Sequence, residues 1–164
     1  MTTPTVDQAP TKSSPWLPPR WFVRGAWVAH RAIHRFSGRR RGLALPKADG
    51  QIGYLRLKTV GRRSAKERAA ILGYIEDGEN LVTLAMNGWS SPDPAWWLNL
   101  RSHPDATVEL KTGTRAVRAR VASGEERNRL WAKVGEHSGY GSDLDAFARR
   151  RANETAVVVL EPRP

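Results

Sequence analysis

Cysteine is absent from the 164-residue chain. That excludes disulfides, thiolate metal sites and cysteine nucleophiles, and it suits a reducing cytoplasm. No uninterrupted apolar run is long enough to span a bilayer, and arginines break the hydrophobic stretch near the N-terminus, so it does not read as a secretory signal. His30 and His34 stand one helical turn apart, but no third ligand lies nearby and no metal site is expected. There is no internal repeat, and no nucleophilic triad or carboxylate pair stands out. Acidic side chains are scarce, with 16 Asp+Glu against 27 Lys+Arg and a net charge of +11. The imbalance is uneven: residues 1–50 hold nine basic and two acidic side chains (+7), and residues 51–164 hold 18 and 14 (+4). Partners consistent with this charge are anionic lipid, nucleic acid or a polyanionic ligand.

The length fits one domain with a single core. Residues 1–19, rich in Pro, Thr and Ser, are expected to be disordered. Residues 20–36 follow a helical period, with Arg20, Arg24, Arg31 and Arg35 on one face and Trp21, Phe22, Ile33 and Phe36 on the other. Such a helix either lies in a membrane surface or packs on the domain with its arginines in water. Residues 37–50 form a basic connection, with Arg39, Arg40 and Arg41 consecutive.

From residue 51 the chain is rich in β-forming segments, predicted at 52–60, 68–76, 81–86, 107–110, 115–121 and 156–160. Asp77-Gly78 and Thr112-Gly113 supply hairpin turns. Helices are expected at 94–102, with Asp93 as N-cap and Pro94 in the first turn, after Ser123 in a capping box with Glu126, and at 144–151. Leu130, Trp131 and Val134 share one face of the second helix. The continuous apolar run Ala156 to Leu160 implies a central strand. The fold class is therefore α+β, mainly antiparallel β, a small barrel over 51–164 with short covering helices and an N-terminal amphipathic helix.

The stretch from Thr59 to Asn99 concentrates the functional signals. Gly61-Arg62-Arg63-Ser64, with Arg68 beyond, reads as a basic turn between two strands. Free backbone N–H groups beside arginine forks are well shaped to hold a phosphate. A polar loop from Asn87 to Ser91 then leads to Trp96 and Trp97 at a helix start. Together, turn, loop and aromatic pair form a plausible cradle for a large, flat, anionic cofactor. Nucleic-acid binding rests on net charge alone and is not expected.

These motifs run in one order: Thr59-Val60-Gly61-Arg62-Arg63-Ser64, then Arg68, Pro94-Ala95-Trp96-Trp97-Leu98-Asn99-Leu100, His103-Pro104, Gly124-Glu125-Glu126-Arg127 with Leu130-Trp131, and Val157-Val158-Val159-Leu160-Glu161-Pro162. The order resembles the deazaflavin-dependent nitroreductase family, actinobacterial oxidoreductases of the flavin-binding split-barrel fold that use coenzyme F-420, an 8-hydroxy-5-deazaflavin. The resemblance implies that Arg62, Arg63, Ser64 and Arg68 bind the coenzyme's phosphate and acidic tail. It places Ala85, Met86 and Asn87 along the deazaflavin ring, with Pro94, Ala95 and Trp96 enclosing it and Asn99 one turn further on. Tyr140 falls where the family often has a substrate-facing tyrosine, and the catalytic proton comes from it or from water. The implied reaction is hydride transfer to an electrophilic acceptor such as a quinone or nitro compound. FMN is the alternative cofactor, and a non-catalytic carrier or membrane-surface binding protein the alternative role. A cytoplasmic monomer or homodimer is expected, with residues 20–41 available to an anionic inner membrane face. Three positions depart from the family pattern. Ala65 replaces a usual glycine, Glu67 a common proline, and Met86 a serine frequent in nitro-reducing members.

Overall fold

Strand β1 (Gly53–Val60) alternates between buried and outward-facing residues, as period-two geometry requires. Its inward Leu55 and Leu57 are fully buried, each contributing about 1.5–3 kcal/mol by leaving water. The computed structural model describes residues 42–89, 92–140 and 143–164. The tail expected at 1–19, the helix at 20–36 and the first part of the 37–50 connection lie outside the described residues.

The remaining elements are β2 (Glu67–Asp77), β3 (Asn80–Leu84), α1 (Ala95–Ser102), β4 (Asp105–Leu110), β5 (Gly113–Val121), α2 (Gly124–Gly135), α3 (Leu144–Ala148) and β6 (Val157–Pro162). The strands close into a six-stranded antiparallel barrel in the order β1-β2-β3-β6-β5-β4. Gly53 faces Tyr74 and Val60 faces Glu67 across the first pair. β6 lies between β3 and β5, which explains its unbroken apolar run. Val158 and Leu160 fill the barrel beside Leu55, Leu57 and Leu100. Val157 and Val159 face outward under Leu130, Val134 and Leu144 of the covering helices.

The described end of the connection is no free linker, because Leu43 is buried and Ala44 exchanges backbone hydrogen bonds with Tyr54 at 3.1 and 2.8 Å. Both predicted side-chain caps are also replaced. Pro94, not Asp93, is the N-cap of α1, because the Asp93 carboxylate is taken by Arg151 at 2.6 Å. Ser123 does begin α2 but makes no side-chain cap bond. Glu126 instead grips Arg120 through two bonds of 2.6 and 2.7 Å. In both cases a charge-assisted pair wins over a neutral backbone donor. The third helix stops at Ala148, short of the predicted 151.

Candidate active site

The β1–β2 turn is built by its glycine. A Cβ at Gly61 would lie 2.8 Å from Ser64 Oγ and 3.1 Å from the Lys66 carbonyl, so no larger residue fits without a shift. The amides of Ser64 and Ala65 donate to the Gly61 carbonyl at 3.1 and 2.8 Å, and that of Gly61 to the Lys66 carbonyl at 2.9 Å. The Arg62 amide donates to Asn99 Oδ1 at 3.2 Å. These amides are therefore committed within the protein, contrary to the expectation of free N–H groups. What the turn offers an anion is side-chain charge. Arg62, Arg63, Lys66 and Arg68 are all exposed. Their only side-chain hydrogen bond among the described residues is Arg68 to Ser64 Oγ at 3.4 Å. Glu67 brings its carboxylate toward Lys58 instead, at 3.9 Å. Ala65 adopts φ 51°, a left-handed conformation that glycine accepts without strain. The departure at this position is thus a real local cost.

Helix α1 braces the turn. Asn99 is only 4% exposed; besides accepting from Arg62, it donates through Nδ2 to the Thr59 hydroxyl at 3.2 Å. Trp96 and Trp97 meet edge-on with ring centroids 6.3 Å apart. Both are buried in the barrel core, so they wall the site from within and do not form an open platform. The second part of the site begins where β3 ends. Ala85 is buried, Met86 half-buried and Asn87 exposed; Met86 packs against the cluster under α2 and α3. Pro94 is buried and Ala95 exposed at the start of α1. Through α1 the chain joins this loop to the cationic turn.

Tyr140 shares the cluster against which Met86 packs. Its side chain belongs to the cluster beneath the covering helices, on the other face of the sheet from Trp96. The residue is 5% exposed, and its hydroxyl donates to the Gly73 carbonyl at 2.6 Å. Burial pushes its phenol well above the ordinary range. The hydroxyl is thus enclosed, and its proton is engaged with the backbone. Among the described residues no group of three His, Asp or Glu side chains is placed to hold a metal. Sequence reasoning also missed Arg151, which is buried and bonded to both Ala85 and Asp93. It sits in an Arg149-Arg150-Arg151 run in which nothing distinguishes the third arginine.

A closed antiparallel barrel with a cationic turn braced by a helix is the architecture of the split-barrel class, to which flavin- and deazaflavin-dependent oxidoreductases belong. The chain belongs to the F420H(2)-dependent quinone reductase family, whose sequence model matches residues 27–162. A Mycobacterium tuberculosis relative, Rv3178, is 34% identical over 109 residues, covering 66% of this chain and 89% of that protein. The F420H(2)-dependent quinone reductase Rv1261c of the same organism is 28% identical over 150 residues, covering 88% and 97%. Among solved structures, an F420-H2 dependent reductase shares the fold with a TM-score of 0.58 at 22% identity, covering 66% of this chain and 93% of its own.

Proposed function

We propose that the protein transfers a hydride from reduced coenzyme F-420 to a quinone-like acceptor. The observation that carries this reading is the cationic turn, with four exposed basic side chains at positions 62, 63, 66 and 68 and one acidic neighbour directed to Lys58. A coenzyme bearing a phosphate and a carboxylate tail needs such a donor set, and arginine forks match both groups. When bound, the deazaflavin supplies the two-electron hydride chemistry.

The chain's own part is binding, orientation and shielding. Arg62, Arg63 and Arg68 hold the anionic tail, with Ser64 set by Arg68. Asn99 fixes the backbone from which Arg62 projects. Ala85, Met86 and Asn87 would line the ring, and Pro94, Ala95 and the buried Trp96 would keep water from it. The acceptor gains a hydride and a proton. With the Tyr140 hydroxyl bonded to Gly73, the proton comes from water. Met86 offers no hydroxyl to orient a nitro group, which favours a quinone. A lipid quinone must be met at a bilayer, and the basic amphipathic pattern of residues 20–36 with Arg39 to Arg41 supports a cytoplasmic protein held at an anionic membrane face. No helix among the described residues is long and apolar enough to cross a membrane.

The test is to mix reduced coenzyme with menadione and follow recovery of the oxidised ring's absorbance. Reoxidation should rise in proportion to protein; a rate independent of protein contradicts the reading. Removal of residues 1–36 should spare coenzyme binding and reduce sedimentation with anionic liposomes. Sedimentation unchanged by the deletion rules out the membrane role of that segment.

A further inference from the structure

A single guanidinium holds both ends of the connection that leads from the barrel into α1. Arg151 lies just beyond α3, and its side chain has 0% exposure. One terminal nitrogen donates to the Ala85 carbonyl at 2.7 Å and to the Thr155 hydroxyl at 2.9 Å. The other donates to the Asp93 carboxylate at 2.6 Å. Ala85 is the first residue after β3, and Asp93 immediately precedes Pro94, the N-cap of α1. A buried guanidinium persists only when paired and hydrogen-bonded; here both terminal nitrogens are so held, while Nε is buried without a partner. Arg149 and Arg150 are exposed, and Arg150 lies over the Phe147 ring at 5.4 Å.

Among the described residues between the two anchors, the backbone at Trp89 is held under constraint. Gly88 and Trp89 have φ of 57° and 62°, and a tryptophan stays in that region only where its surroundings hold it. The Trp89 indole N–H donates to the Tyr140 carbonyl at 3.2 Å, and its ring stacks on Phe147 at 5.9 Å. Loop, helix and arginine thus form one bracket behind the ring-lining residues.

We propose that Arg151 is a positioning residue of the reductase. By tying Ala85 to Asp93 it fixes the distance between the two walls of the ring site, 85–87 and 94–96, and so the alignment of hydride donor and acceptor. The inference rests on the proposed function. It concerns alignment and leaves the tail-binding turn untouched, so Arg151 should govern turnover far more than coenzyme affinity.

The experiment compares wild type with R151M in two readouts. Amide hydrogen exchange at 86–89, measured without coenzyme, should quicken at least about tenfold while β1 and β2 keep their protection. Coenzyme F-420 should still bind at unchanged stoichiometry and nearly unchanged Kd, while kcat with menadione falls about 10²-fold, the scale of a misplacement of about 1 Å. Unchanged exchange at 86–89, or an unchanged kcat beside loosened amides, overturns the proposal. So does a fall in binding stoichiometry that tracks kcat, which marks a merely structural role. If R151M does not fold, R151K keeps the positive charge but lacks the rigid fork that reaches Ala85 and Asp93 together and should show the same split at smaller amplitude; an unchanged kcat there overturns the proposal equally. A wild type that neither binds nor oxidises the coenzyme refutes the proposed function instead, and the exchange readout still reports on the bracket.

Discussion

Replacing Asn99 with alanine should loosen the cationic turn without unfolding the barrel. The side chain makes two bonds, accepting from the Arg62 amide and donating to the Thr59 hydroxyl, each at 3.2 Å. Each neutral bond is worth about 1 kcal/mol net, and stranding a buried donor adds about 1–3 kcal/mol. Thr59 is buried, but its hydroxyl also donates to the Arg68 carbonyl at 3.5 Å, which limits that penalty. The Arg62 residue is exposed, so water can reach its amide once Asn99 is gone. The loss should therefore total roughly 2–4 kcal/mol. A domain of this size loses roughly 2–4 °C per kcal/mol, so N99A should melt at least about 4 °C below wild type by tryptophan fluorescence. Coenzyme affinity should fall with it, because Arg62 then projects from an unbraced backbone. A melt within about 1 °C of wild type would refute the bracing argument, since the bonds would then be worth nothing measurable.

Three single positions give further expected outcomes. Y140F removes the hydroxyl that donates to Gly73 and should cost about 1 kcal/mol of stability with quinone reduction unchanged; a large loss of kcat in a fully folded variant would return Tyr140 to catalysis. A65G should relieve the left-handed strain at φ 51°; a relief of about 1–2 kcal/mol less about 0.5–1 kcal/mol of glycine entropy predicts a small gain in urea unfolding, and a loss would contradict it. The Asp77 carboxyl is held well below its ordinary value by hydrogen bonds from Arg129 and Lys133. Its charge therefore stabilises the fold above about pH 4 and does so progressively less as pH falls further. The stability gap between wild type and D77N should shrink on acidification, and a constant gap would contradict the assignment.

The strands were legible because their signals are local. Alternation along β1 and the Asp77-Gly78 turn between β2 and β3, where Gly78 takes φ 63°, mark the first three strands within a residue or two of their limits. The unbroken apolar run of β6 foretold burial on both faces. The motif order placed the Arg62 turn and Asn99 on neighbouring elements, and the structure joins them by a hydrogen bond. The failures are long-range. Asp93 and Glu126 sit where good capping residues belong, yet arginines distant in sequence or on another element claim them. Tyr140 stands at a plausible position, but only the packed barrel reveals Gly73 as its partner. The burial of Arg151 depends on Ala85, Asp93 and Thr155 converging, which no periodicity encodes. Ala65 was the informative exception, since a missing glycine announced backbone strain that the structure contains.

The most direct measurement is a fluorescence titration of the protein with coenzyme F-420 beside FMN, repeated with R62A/R63A. The account predicts tight binding of the deazaflavin, weaker binding of FMN, and a loss of affinity in the variant of roughly 1.5–3 kcal/mol per charged hydrogen bond removed with the fold intact. Equal deazaflavin affinity in wild type and R62A/R63A, or a preference for FMN, would contradict it.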